Sequence, residues 1–253
     1  MDRHNKLFIA LNPSSTSADL TKLTNCLTSL HCWFCLNGLA LNPDKSESVI
    51  LGTRQRSHCY RDVTSVDVAG AVVPVTEHVK LLGVILDSHL TMDRHVRAIS
   101  SSCFYHIRAI RHIRQAITDD MAKLVACSLV GSRLDYANSA LFGVSKANMR
   151  RLQRIQNAVA RVVVGSAVYK STGGSTATLR HLHWLPIEWR IKHKIAVLAF
   201  KCLSSSAPAY LCSLVLPYVP SRNLRSSDSN LLTVPPYNLT LGSRGFRVAA
   251  TDI

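Results

Sequence analysis

The stretch DRHVRAISSSCFYHIRAIRHIRQAI, residues 93–117, decides how the second half of the chain folds. At about 100° per residue, its apolar side chains fall on one side of a helix. These are Val96, Ile99, Cys103, Ile107 and Ile110. The arginines fall within about 100° of one another on a flank of that side. These are Arg94, Arg97, Arg108 and Arg111. The spacing predicts a helix over about 93–117 with one buried face and one basic face.

The same pattern continues toward the carboxyl end. A helix is predicted to begin near Thr118, because Asp119 and Asp120 suit the positive end of a helix. A further helix is predicted over about 147–164. Its apolar side consists of Leu152, Ile155, Val159 and Val162, and its basic side of Arg150, Arg154 and Arg161. The Gly/Ser/Thr-rich segment 166–180 predicts an exposed connection. The next predicted helix, about 187–204, carries Arg190, Lys192, Lys194 and Lys201, and regular structure should thin out beyond Pro208.

The first 90 residues predict a strand, a helix and then several strands, so the fold class is α+β. Residues 7–10 look like a buried strand. The helix should begin near Asp19 with Ser17 as N-cap and end at 37–38. Its predicted buried face consists of Leu20, Leu23, Leu27, Leu30 and Phe34. Short strands are expected in 48–52, at 65–69 and 72–75 around Gly70, and as one further apolar strand in 78–87.

Composition favours a basic globular protein with an anionic partner. The 253 residues contain 30 Lys plus Arg against 15 Asp plus Glu, which gives a formal net charge of +15. A charge of that size makes a polyanion such as nucleic acid the leading partner class. No apolar run approaches the roughly 18 residues that a bilayer-spanning helix needs. With no signal peptide recognised, an intracellular protein is expected, in the nucleus or the cytoplasm.

Eight cysteines in an intracellular protein predict reduced, mostly buried thiols. Cys32 and Cys35 form a CxxC pair that we interpret as core thiols, because a zinc site needs a second pair of ligands. No metal ligands are therefore predicted. The near absence of acidic residues between 91 and 161 favours a nucleic-acid surface on the arginine faces. The alternative is an ordinary solvated helix face, which is the usual meaning of a charged row.

Several strings of the sequence, in this order, resemble reverse transcriptases of non-LTR, LINE-type retrotransposons, with the jockey-like and chicken-repeat groups most similar. They are LNGLALNPDKSESVILG, HVKLLGVILDSHLTMDRHV, DYANSALFG, RRLQRIQNAVARVVVG, LHWLPIEWRIKHKIAVLAFK and APAYL. The resemblance covers nearly the whole chain. It implies a remnant of the polymerase palm in 1–90, a helical thumb-like region in 91–170 and a connecting region in 171–253.

The resemblance also implies roles for individual residues. Lys45 matches a late palm lysine proposed to assist nucleotide addition, and Leu82-Gly83 matches the hairpin that grips the primer end. The basic helices match the thumb, which holds the template–primer duplex. This assigns nucleic-acid contacts to Arg94, Arg97, Arg108, Arg111, Arg150, Arg154 and Arg161. RNA or RNA–DNA duplex is therefore the expected partner, with no membrane contact.

One departure from the family pattern concerns catalysis. Aligned on Leu7-Phe8, the family's Tyr-Ala-Asp-Asp turn falls on residues 1–4, so Arg3 and His4 replace the aspartates that hold the Mg²⁺ ions. The chain is expected to correspond to the back portion of a polymerase, to use no cofactor itself and to be inactive alone. Two alternatives stay open: it contributes to RNA-directed DNA synthesis in complex with a complete polymerase, or it is a poorly folded retrotransposon relic.

Overall fold

The computed structural model describes residues 6–171, 173–220 and 231–253, and its architecture is the predicted mixture of helices and small sheets. The chain divides into two compact units, Met1–Thr91 and Met92–Ile253. The amino-terminal unit contains one long helix and short strands, and the carboxyl-terminal unit is built mainly of helices. No helix within the described ranges combines the length and the apolar character that crossing a membrane requires.

Helix α1 spans Thr16–Leu36 in the amino-terminal unit. Its start is organised by Asp19, whose carboxylate accepts hydrogen bonds from the Asn12 N–H and the Ser15 hydroxyl, each at 3.1 Å. These bonds, together with Lys22 at 3.1 Å, hold the pKa of Asp19 below its usual value. The helix begins at Thr16 with Ser15 at the N-cap position, so the predictions of a start near Asp19 and of Ser17 as N-cap were wrong. Its predicted apolar face, from Leu20 to Phe34, is only half-buried.

The strands of this unit follow the predicted order with one correction. One sheet has three strands: β1 (Ser48–Val49), β2 (Ser65–Val68) and β3 (Ala71–Thr76). The central strand is β3, which is parallel to β1 and antiparallel to β2. A short helix, α2 (Arg54–Ser57), precedes β2. Residues 78–87 form a hairpin of β4 (His78–Leu81) and β5 (Val84–Asp87), so the prediction of one strand was wrong. Leu82 and Gly83 make its two-residue turn with φ of 46° and 83°, as a type I′ turn requires.

Two other predictions for this unit were wrong. Residues 7–10 have no strand pairing and Phe8 is 97% exposed, because none of the described strands lies alongside them. Cys32 and Cys35 are exposed rather than buried, since they project away from the half-buried face of α1. Of the eight cysteines, five are exposed and only Cys103 and Cys202 are buried, so the thiols are not mostly in the core.

The carboxyl-terminal unit begins with α3 (Asp93–Ile113), whose predicted apolar residues are all buried. A 3₁₀ turn leads to α4 (Asp119–Ala126), where the Thr118 side chain accepts from the Met121 N–H. A π-helical turn at Cys127–Gly131 and helix α5 (Ser132–Asp135) follow. Helix α6 spans Lys146–Ser171 and is interrupted at Gly165, which has φ 79° and ψ 164°. Its predicted core residues, Leu152, Ile155, Val159 and Val162, are buried.

The remaining helices are α7 (Ser175–His181), α8 (Ile187–Ser205), α9 (Ala209–Cys212) and α10 (Phe246–Ala249). The segment 166–180 was predicted to be an exposed connection, which is wrong at both ends: α6 continues to Ser171, and α7 begins at Ser175. There, α7 buries Thr178 and Leu179 and packs against α6. Beyond Pro208, helices are short in the described residues, as predicted.

Polar side chains fix α8 on the bundle. Gln153 of α6 accepts from the Ile187 N–H at 3.0 Å, and buried Gln156 donates to the Leu185 carbonyl at 2.8 Å. From the other side, the Arg190 guanidinium forms a two-point ion pair with Asp135 of α5. The hydrogen bond to Asp135 raises the pKa of Arg190. Together these bonds set the start and the rotation of α8, which determines the face it presents outward.

Candidate nucleic-acid interface

The arginines predicted on α3 all lie on its surface. Arg94, Arg97, Arg108 and Arg111 are exposed, and the buried side chains occupy the neighbouring sector of the helix. Within the described ranges, no carboxylate pairs with Arg97, Arg108 or Arg111. At about 1.5 Å per residue, these three charges extend over roughly 21 Å of helix. We call this sector of α3 the α3 basic face.

The α3 basic face also carries aromatic side chains that the charge pattern did not single out. Phe104 is 39% exposed and lies at a helical angle between Arg108 and Arg111. Tyr105 is 64% exposed beside that face and meets His106 edge-on, with ring centroids 5.2 Å apart. Exposed rings among cations are typical of surfaces that contact nucleic-acid bases as well as phosphates. The signal was present in the sequence as FY inside an arginine-rich helical repeat.

The arginines of α6 form a second row. Arg150, Arg154 and Arg161 are exposed and fall within about 40° of one another on the helix. Arg161 is held by Tyr169: the guanidinium donates to the phenol oxygen at 3.2 Å and lies 4.5 Å from the ring centroid. The hydrogen bonds of its hydroxyl with Ser175 and Arg161 lower the pKa of Tyr169.

The contact between Arg161 and Tyr169 depends on Gly165. An uninterrupted helix would place residues eight positions apart more than two turns from one another. The left-handed φ of Gly165 turns the chain, so the Tyr169 ring comes back over the arginine. Sequence reasoning missed Tyr169. The only available signal was a glycine that interrupts an otherwise continuous helical pattern.

Three of the four acidic side chains between residues 91 and 161 contact other partners. Asp135 pairs with Arg190, Asp119 pairs with Arg114, and Asp93 accepts from Asn148 at 2.6 Å. None of them forms an ion pair with Arg97, Arg108, Arg111, Arg150 or Arg154 in the part of the chain that the structure describes. These five guanidinium groups therefore keep their full charge toward solvent, where an external anion can reach them.

The predicted residues of the amino-terminal unit lie in different local structures. Lys45 is exposed at the end of the 3₁₀ turn Pro43–Lys45, which Asn42 caps by accepting from the Asp44 N–H. Leu82 and Gly83 form the β4–β5 turn, and the Leu82 side chain is 57% exposed there. Arg3 and His4 lie outside the described residues. No group of three or more His, Cys, Asp or Glu side chains placed to hold a metal ion occurs among the residues that are described.

Comparisons with family models, with curated proteins and with solved structures found no match to this chain. Its function must therefore be inferred from the residues and their geometry. The strongest feature is the pair of helices α3 and α6, on which five exposed arginines form no ion pair with a carboxylate of the described residues. Such rows attract a polyanion and can follow a phosphate backbone, and each phosphate that they neutralise releases condensed counterions.

Proposed function

We propose that this protein binds RNA or an RNA–DNA template–primer duplex through the arginines of α3 and α6 and does not polymerise by itself. The observation that carries the proposal is the exposure of five arginines without ion pairs in the described residues. They are Arg97, Arg108 and Arg111 on α3 and Arg150 and Arg154 on α6. Arg94 and Arg161 lie in the same two rows and would add to the contact.

Physical chemistry favours phosphate as the counter-anion. A guanidinium group presents a planar set of donors that matches phosphate oxygens, which an ammonium group does not. A helix that keeps only basic groups on its wet side has no i,i+4 ion pairs to stabilise it. An external polyanion would remove the mutual repulsion between Arg108 and Arg111, which lie one turn apart. Exposed Phe104 adds a planar apolar surface within the same row.

The resemblance to LINE-type reverse transcriptases supports the same proposal. In that family, helices at the positions of α3 and α6 belong to the thumb, which holds the template–primer duplex. The β4–β5 hairpin, with half-exposed Leu82 at its turn, has the form of a primer-gripping element, and Lys45 follows the palm string LALNPD. A palm remnant followed by a thumb and a connecting region is therefore the architecture that we propose.

Catalysis by this chain is not proposed, because the sequence places Arg3 and His4 where the family has its metal-binding aspartates. Two divalent cations stabilise the attacking and leaving oxygens in nucleotidyl transfer, and they need carboxylate ligands. A cationic Arg3 reverses the charge of that position and opposes Mg²⁺ binding. The surviving capacity of the chain would then be binding rather than synthesis.

The test is a fluorescence-anisotropy titration of the purified protein with an RNA–DNA duplex at two salt concentrations. Replacing Arg97, Arg108 and Arg111 together with alanine should weaken binding. It should also flatten the slope of log affinity against log salt by about 0.9 for each duplex phosphate contact that is lost, and hence by up to about 2.7. The reason is that each lost contact releases about one counterion fewer.

The matched control removes the same number of charges elsewhere. Arg54, Arg56 and Arg61 are exposed in the amino-terminal unit, and their triple alanine variant has the same net charge as the α3 variant. If both triple variants reduce affinity and slope equally, binding reflects only net charge, and the proposed interface is wrong. Unchanged affinity and slope in the α3 variant would also contradict the proposal and leave those arginines as a solvated face.

A further inference from the structure

The outward side of α8 carries aromatic side chains where a solvated helix would carry polar ones. Its inward side is buried through Ile187, Ile191 and Ile195, with Ala199 and Cys202 continuing the row. On the opposite side, Trp189 is 56% exposed, Phe200 is 69% exposed and His193 is also exposed. At about 100° per residue these three rings fall within about 40° of one another. We call them the α8 aromatic row.

Positive charge flanks the α8 aromatic row. Lys194 and Lys201 are exposed and lie two turns apart on one flank, about 10.5 Å along the axis. Neither forms an ion pair within the described residues. On the other flank, Lys192 lies 4.9 Å from the Trp189 ring centroid and pairs with Glu188 at 3.2 Å. Glu188 is the only acidic residue of α8. Because Lys192 neutralises it, this side of the helix carries no negative charge that would repel a polyanion.

We propose that the outward side of α8 is a binding site for single-stranded nucleic acid, distinct from the duplex-binding arginines of α3 and α6. Bases would stack on the exposed Trp189, His193 and Phe200 rings, and the phosphates beside them would contact Lys194 and Lys201. Aromatic rings bind successive bases without sequence preference, because every base has a π-face, and a positive flank follows the backbone. The Lys192 ammonium near Trp189 adds to the positive potential at that end of the row.

The chemistry of the row favours nucleic acid over a protein helix. Helix-binding surfaces in proteins use a groove that accepts aliphatic anchors, whereas the α8 aromatic row is a convex helix surface with planar rings spaced about 6 and 10.5 Å apart along the axis. Rings at those separations can each accept a separate base. The packing that fixes α8, through Gln153 and through the Arg190–Asp135 pair, keeps the row outward without a ligand.

The test measures the anisotropy of a labelled oligothymidylate of about 12 nucleotides, a length within the range of known single-strand sites. Trp189→Ala and Phe200→Ala should each weaken its binding by at least about fivefold, because each removes one base-stacking surface. Phe200→Leu should lose nearly as much as Phe200→Ala, since it keeps apolar area but not the ring. Phe200→Trp should restore wild-type affinity.

Two matched controls make the result decisive. Leu203→Ala removes an exposed aliphatic side chain near the row, and Tyr237→Ala removes an exposed ring outside α8; both should change affinity by less than about twofold. If wild-type protein does not bind the oligothymidylate, or if Phe200→Leu retains wild-type affinity, the proposal is overturned. The second result would mean that the Phe200 ring does not stack on a base.

The same variants separate this site from the duplex-binding function. Trp189→Ala and Phe200→Ala should leave affinity for the RNA–DNA duplex unchanged. Adding Phe200→Ala to the triple alanine variant of Arg97, Arg108 and Arg111 should still weaken oligothymidylate binding relative to the triple variant. If the α8 variants weaken duplex and single strand equally, α8 is no separate site. If the arginine variant leaves duplex binding unchanged while the α8 variants still weaken oligothymidylate binding, the proposed function fails and the α8 site stands.

Discussion

Replacing Arg114 with alanine should destabilise the carboxyl-terminal unit through the interruption of α6 at Gly165. The break removes the amide donors that would otherwise serve the last carbonyls before it. Arg114 replaces them: its guanidinium donates to the Val162 carbonyl at 3.2 Å and to the Val163 carbonyl at 3.0 and 2.7 Å. It also donates to the Ile117 carbonyl at 3.2 Å, and its side chain is only 20% exposed.

The magnitude follows from the number of acceptors left without a donor. A hydrogen bond from a charged donor contributes about 1.5–3 kcal/mol, and an acceptor left buried and unsatisfied costs about 1–3 kcal/mol. The donors are shared between three carbonyls, so we expect a total loss of about 3 kcal/mol rather than the sum. The ion pair with Asp119 adds little, because that carboxylate is 88% exposed and such pairs contribute at most about 1 kcal/mol.

Urea denaturation measures this loss as a decrease in the midpoint with an unchanged slope. Arg114→Lys should recover only part of the stability, because a single ammonium group cannot reach both the α6 carbonyls of Val162 and Val163 and the Ile117 carbonyl. Arg111→Ala is the matched control: it removes an exposed arginine of the preceding turn and should change stability by less than about 0.5 kcal/mol. If Arg114→Ala costs no more than this control, the carbonyls have another donor and the reasoning fails.

Two further predictions concern backbone strain and pH. Gly165→Ala should lower the free energy of unfolding by about 1–3 kcal/mol in urea denaturation, because the φ and ψ of this residue suit only glycine. A Cβ at this position meets no neighbour, so backbone strain alone causes the loss. A loss below about 0.5 kcal/mol would contradict this. Burial lowers the pKa of His95 below its ordinary 6.5, so unfolded chains bind that proton more tightly and stability should fall as pH decreases through about 6.5. The urea midpoint should therefore change less with pH in His95→Gln than in wild type. Equal changes in the two proteins would show that His95 is not the source of the pH dependence.

Helical periodicity predicted the carboxyl-terminal helices well because their cores follow the 3.6-residue repeat closely. All five apolar residues assigned to the inward face of α3 are buried, and so are the four assigned to α6. The exposed arginines followed from the same repeat, since a residue about half a turn from the buried row must face outward. The candidate duplex interface was therefore predictable residue by residue as far as exposure is concerned.

Local patterns failed where the structure depends on a turn or on a partner element. The run 78–87 is rich in apolar residues and contains no proline or asparagine that would mark a turn, and the left-handed conformations of Leu82 and Gly83 divide it into two strands. Segment 175–181 has loop-like composition, yet it is helical because its Thr178 and Leu179 are buried in the packing of α7 on α6. The thiols of Cys32 and Cys35 are exposed because they lie away from the half-buried row of α1, from Leu20 to Phe34.

Helical periodicity alone was enough to predict which residues of α3 and α6 face inward, since burying an apolar row is the main free-energy gain of such helices. It also determined the basic character of the outward faces. The pairing of polar groups depends instead on how the helices pack: Tyr169 contacts Arg161, Arg114 bonds the carbonyls before Gly165, and Asp135 pairs with Arg190. These contacts join residues 8 to 55 positions apart, and local periodicity contains no information about pairings at that distance.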